Sequence, residues 1–172
     1  MSPGAAKSSM APASLLRRLA ALAYESLIAG ALLLALGFAL LPLTAPAGHA
    51  ASELGLMTPS ARAGSFACLF TLFGAYCVWL WTGGRRSLPM KAWHLALRTA
   101  DGVAPSVTQA MLRYLGWWIG PALAIGAWIA LRPHGHQRWA LAALAVNYAW
   151  ALFDSGRQFL HDRLAGTRIV RA

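Results

Sequence analysis

The chain has 172 residues, of which 58% are hydrophobic and 12% charged, with 15 Lys and Arg against 5 Asp and Glu for a formal net charge of +10. Soluble domains carry about 25% charged residues, so this composition excludes an ordinary soluble enzyme, a disordered tail and a nucleic-acid-coating peptide. It fits an integral membrane protein with basic edges and no nucleic-acid partner.

Residues 1–14 form a Ser/Ala/Pro/Gly-rich leader without periodicity, expected to be mobile. Residues 15–172 read as one transmembrane domain. The first apolar stretch covers residues 19–43, interrupted by Glu25 and closed by Pro42. Arg17 and Arg18 before it and Ala45-Pro46-Ala47 after it mimic a signal peptide. The apolar run is too long for an h-region and contains an acid, so it is read as a retained span. The second stretch, 63–82, has no formal charge, and the third, 114–131, contains Pro121. The fourth, 139–153, is the shortest and contains Asn147. A bilayer core needs about 20 apolar residues per helix, which the fourth stretch meets only with its flanks. The expected fold is therefore an all-α helical bundle of four transmembrane helices. The alternative is three plus a surface-lying or re-entrant helix.

The loop over residues 83–113 opens on the basic turn Gly83-Gly84-Arg85-Arg86. Residues 88–97 mix apolar side chains with Lys91 and His94 and fit neither the helical nor the alternating period. Such a segment suits the surface of an anionic leaflet. Asp101-Gly102 signals a turn, and Ser106-Val107-Thr108-Gln109 fits a capping box opening a helix that carries Arg113 to the membrane boundary. Residues 154–172 form the tail.

Twelve of the fifteen Lys and Arg fall in the N-terminal segment, the 83–113 loop and the tail; Arg62, Arg132 and Arg138 fall on the other side. The positive-inside rule then places both termini in the cytoplasm of a multi-pass inner-membrane protein. Seven tryptophans (Trp79, Trp81, Trp117, Trp118, Trp128, Trp139 and Trp150) sit at the ends of expected spans, where indole rings anchor at the headgroup level.

Glu25 is the only acid inside a span. An ionised carboxylate there costs roughly 2.5–3.5 kcal/mol on insertion scales unless it is protonated, paired or wet. Arg18, seven residues earlier, shares its helix face at a distance of about 10 Å along the axis. Glu25 therefore reads either as an intramembrane ion or proton site or as one half of a packing ion pair. Cys68 and Cys77 lie on opposite faces of one helix and cannot bridge. His134 and His136 read as a solvated turn. His161 and Asp162 lack an accompanying nucleophile, and Asp162 reads as a carboxylate held by an arginine or by backbone N–H groups. No catalytic, metal or cofactor site is expected, and the chain is not read as an enzyme.

Several segments carry a likeness in common. Arg17-Arg18-Leu-Ala-Ala-Leu-Ala-Tyr24-Glu25, the stretch from Gly83 to Trp93, Gln109-Ala-Met-Leu-Arg113-Tyr114, and above all Arg157-Gln-Phe-Leu-His161-Asp162-Arg-Leu-Ala-Gly-Thr167 resemble RDD-family membrane proteins, in the family's order. The likeness spans most of residues 17–170, although the third and fourth spans match only in apolar character. Glu25 stands where the family usually has aspartate, and Pro89 where it usually has glycine. The resemblance implies a membrane protein with transport of an unidentified ligand as its suggested role. Glu25 and Asn147 would then form an intramembrane ion or proton site, with Arg18, Arg113 and Asp162 as a polar cluster at its cytoplasmic entrance. A chain this small implies a homo-oligomer or a membrane partner. The competing expectation is a non-transporting scaffold in which the same cluster fixes helix packing.

Overall fold

The computed structural model describes residues 13–44 and 58–172. All of the expected leader except Ala13 and Ser14, and the Ala45-Pro46-Ala47 segment, lie outside the described residues. Helix α1 (Leu15–Thr44) is built from strong helix formers, mostly Leu and Ala. Its Leu27, Leu34 and Phe38 side chains are exposed in the isolated chain, as suits a lipid-facing surface. Helix α2 (Pro59–Trp81) starts on Thr58, whose hydroxyl accepts from Ala61 N at 3.2 Å, with Pro59 at the first helical position.

The expected undecided loop resolves into two elements. Ser87 caps the five-residue helix α3 (Leu88–Ala92), and His94 at φ 50° turns the chain into strand β1 (Leu95–Thr99). A helix followed at once by a strand explains why neither period dominates the sequence. The expected capping box forms at α4 (Val107–Trp117): Gln109 N donates to Ser106 Oγ at 3.2 Å, and Ser106 N donates to Gln109 Oε1 at 3.0 Å. The helical path breaks at Trp118 and continues as α5 (Ile119–Leu131).

Three helical stretches among the described residues are long and apolar enough to cross a membrane: Leu15–Leu40, Pro59–Trp81 and Val107–His134. The fourth expected span is not a continuous α-helix. Gln137–Ala145 is a 3-10 segment, α6 (Val146–Ala149) is one turn, and Trp150–Leu152 is 3-10 again. This stretch nonetheless runs back antiparallel to α5 and α4, with Leu144 against Gly120 and Asn147 against Gly116. Hydropathy measures apolar character and is blind to which helical hydrogen-bond pattern carries it.

The tail adds α7 (Leu160–Leu164) and strand β2 (Thr167–Arg171). An antiparallel β1–β2 ladder pairs Leu95 with Arg171, Arg98 with Arg168 and Thr99 with Thr167. Ala13 N also donates to Ile169 O at 3.4 Å, so the start of α1, the loop and the tail meet at one end of the bundle. Close helix approach depends on glycine. A Cβ on Gly74 of α2 would lie 2.7 Å from the Tyr114 ring, and one on Gly116 would lie 3.0 Å from the Cα of His161.

Candidate functional site

The polar cluster sits where α1, α4, α7 and the β1–β2 ladder converge. Arg113 on α4 and Asp162 on α7 form an ion pair, with side chains 2% and 1% exposed. The Arg113 guanidinium also lies over the Trp81 ring, 4.8 Å from its centroid, and reaches Thr167 Oγ1 at 3.5 Å. Thr167 Oγ1 in turn lies 3.4 Å from Asp162 Oδ1. A buried pair repays its desolvation only when further hydrogen bonds support it, and Thr167 supplies that support from β2. The set of contacts is still incomplete: among the described residues, Arg113 Nε and Asp162 Oδ2 have no hydrogen-bond partner.

His161 packs beside this pair, with Nε2 3.8 Å from Asp162 Oδ1. Asn147 fixes the ring. Its Nδ2 donates to Gly116 O at 2.9 Å, which turns Oδ1 toward His161 to accept the backbone N–H at 3.0 Å. The ring Nδ1 lies 3.1 Å from the same Oδ1. A carbonyl oxygen can only accept, so the neutral imidazole carries its proton on Nδ1 and leaves Nε2 a bare lone pair. Burial, reinforced by the Arg113 guanidinium, holds the imidazole well below the usual histidine range.

Arg18 on α1 is buried, its guanidinium 5.4 Å from the Phe159 ring centroid. Glu25, two turns along the same helix, is part-buried and faces the Arg113 guanidinium, the Ser87 hydroxyl and the Trp81 indole. Arg18, Glu25, Arg113, Trp117 and His161 all line one small cavity. Four of the five expected site residues thus come together: Arg18, Glu25 and Arg113 around the cavity, and Asp162 through Arg113. Asn147 is not among the cavity's lining residues, and both ends of its amide are engaged by Gly116 and His161. It lines a neighbouring cavity of ≈ 360 Å³ with Ser26, Trp117, Trp118 and Tyr148. Among the described residues, no group of three or more His, Cys, Asp or Glu is placed to hold a metal ion.

Sequence reasoning missed His161, Thr167, Trp81 and Trp117. Trp81, expected as an interfacial anchor, is only 1% exposed, and it packs edge-on against Trp117 at 5.6 Å beneath the Arg113 cation. Its position two residues after Trp79 at the end of α2 was the available hint, because neighbours so spaced point to different helix faces.

The RDD family model matches residues 12–166. The chain belongs to the RDD family. No curated protein and no solved structure matches it. In this RDD protein the matched region contains Arg18, Glu25, Arg113 and Asp162, and Thr167, which supports the ion pair, lies just beyond it. Together with the membrane-length helices, the match makes the chain an RDD-family membrane protein.

Proposed function

We propose that this RDD-family protein is a multi-pass inner-membrane protein that carries an ion or a small ligand through its Arg/acid cluster, with Glu25 as a protonatable site. The observation that supports this reading is a shared cavity. Glu25, on a membrane-length helix, lines one small space with Arg18, Arg113 and His161, beside the Arg113–Asp162 pair. Intramembrane ionisable groups that face a bundle interior are functional-site candidates by default, ion paths and proton relays among them. The shared end formed by Ala13, β1 and β2, together with the basic surplus on those segments, favours both termini in the cytoplasm against anionic lipids. The small size of the bundle favours a homo-oligomer or a membrane partner as the transporting unit. No enzyme chemistry is part of this reading.

A second reading draws on the same ion pair. Arg113 and Asp162 tie α4 to α7, and Thr167 extends the tie to β2. A non-transporting scaffold would use them in that way. Proton or sodium flux into proteoliposomes separates the two. Transport predicts that Glu25→Gln lowers flux at least tenfold with folded protein retained. Unchanged flux with lowered thermal stability supports the scaffold and refutes transport through Glu25.

A further inference from the structure

The cavity lined by Arg18, Glu25, Arg113, Trp117 and His161 has a volume of ≈ 10 Å³, about the room one water needs. Among the described residues, four buried polar atoms on these side chains have no hydrogen-bond partner: Arg18 Nε, Arg113 Nε, Trp117 Nε1 and His161 Nε2. The first three can only donate. The fourth can only accept, because Asn147 fixes the ring proton on Nδ1. Unpaired buried groups of both kinds around a space of that size are the surroundings in which a structural water makes its usual three or so hydrogen bonds. Its oxygen has two lone pairs, which would accept from the Trp117 Nε1–H and from the protonated Glu25 carboxyl group. One of its protons would point to His161 Nε2.

We propose that this cavity is a one-water proton relay between Glu25 and Nε2 of His161, which makes His161 a second proton-carrying group of the cluster. The relay rests on the reading of Glu25 as a protonatable site. In the transfer the Glu25 O–H bond breaks as its proton passes to the water oxygen, while one O–H bond of the water breaks and that proton joins Nε2. The water is restored, and the products are a Glu25 carboxylate and an imidazolium. The carboxylate is left facing Arg113. The imidazolium keeps Nδ1–H on Asn147, its Nε2–H points back at the water, and the Asp162 carboxylate, with Oδ1 3.8 Å from Nε2, offsets its charge.

Every element around the ring bears on this step. Arg113 from α4 and Arg18 from α1 oppose a charge on His161, whereas Asp162 beside it and Glu25 from α1 favour one. Tyr148 of α6, Trp117 and Phe159 enclose the ring with aromatic faces and edges. Burial, with Arg113 behind it, decides the balance: the neutral ring is the resting state, and the imidazolium is a short-lived carrier.

Solid-state NMR on the full chain in liposomes, labelled with 15N at His and Trp and assigned by sequential correlations, tests the site at neutral pH. The expected spectrum shows His161 protonated at Nδ1 and bare at Nε2, with magnetisation passing from water to the Trp117 Nε1–H. In infrared titrations, the protonated-carboxyl band that Glu25→Gln removes should shift its midpoint by at least one pH unit in His161→Phe. A proton resting on Nε2, a dry Trp117 or an unshifted midpoint overturns the relay. Where His161→Phe does not fold, the tautomer and the water contact of the unaltered chain decide alone. These readouts need no flux, so an unaltered flux in Glu25→Gln defeats the transport reading separately.

Discussion

Asn147 holds His161 twice through one oxygen: Oδ1 accepts the backbone N–H of His161 at 3.0 Å and faces ring Nδ1 at 3.1 Å. Its Nδ2 meanwhile donates to the Gly116 carbonyl. Removing the amide leaves three buried backbone or ring groups without their partner, at a cost of about 1–3 kcal/mol for each group left unsatisfied. Asn147→Leu should therefore lower the Tm in detergent strongly. Asn147→Asp, which keeps the acceptor and loses the donor, should lie between it and the unaltered chain. A Tm for Asn147→Leu equal to that of the unaltered chain would show that the amide does not hold α6 to α7.

The same ring imposes a pH dependence with a definite sign. Unfolded, His161 binds a proton near the ordinary histidine pKa of about 6.5; folded, burial and Arg113 keep it neutral to well below that value. Between the two, the unfolded state holds more protons, so stability falls as pH drops below about 6.5, with a limiting slope of about 1.4 kcal/mol per pH unit. Above that pH the His161 contribution is flat. Thermal unfolding from pH 7.5 to 5.5 should show a loss of about 1.4 kcal/mol in total, steepening toward the lower end, in the unaltered chain, and His161→Phe should lack it. Equal slopes in the two proteins would contradict it.

The Arg113–Asp162 pair calls for a double-mutant cycle. Breaking one partner of a buried pair costs about 3–5 kcal/mol because an uncompensated charge stays behind. Arg113→Met and Asp162→Leu should each destabilise by that order, and the double variant by clearly less than their sum. Additive losses would mean that the two side chains act independently.

Gly74→Ala tests the approach of α2 to α4. Alanine improves helix propensity by about 1 kcal/mol over glycine. Here its Cβ would press into the Tyr114 ring at 2.7 Å, and that ring is fixed by a hydroxyl bond to Phe70 O at 2.7 Å and by packing against Phe70, Phe73 and Trp118. Crowding of this kind costs about 1–3 kcal/mol, so the expected net effect is a loss of stability. A gain in Tm would mean that Tyr114 moves freely.

The long helices were legible because a run of apolar residues reports its own length, as in α1 and α2. The Ser106–Gln109 box was legible because both partners lie three residues apart. The cluster was partly legible: Arg18, Glu25, Arg113 and Asp162 are charges in apolar or boundary settings, and burying a charge requires a partner. What stayed hidden is non-local. The β1–β2 ladder joins Arg98 to Arg168, and no local pattern announces a partner so distant in sequence. The role of His161 depends on Asn147 from another element, so the motif around Asp162 exposes the residue without its function. Residues 137–145 run as a 3-10 segment packed along α5, and hydropathy encodes neither the helix type nor the neighbour.

The ion pair also has a history in time. Arg113 leaves the ribosome well before Asp162, and at ~5–20 residues/s the interval lasts seconds. During it, the arginine near the membrane has no Asp162 or Thr167 to meet. Assembly of the pair therefore waits for α7, and a chain cut before α7 carries a cation with no carboxylate to meet it.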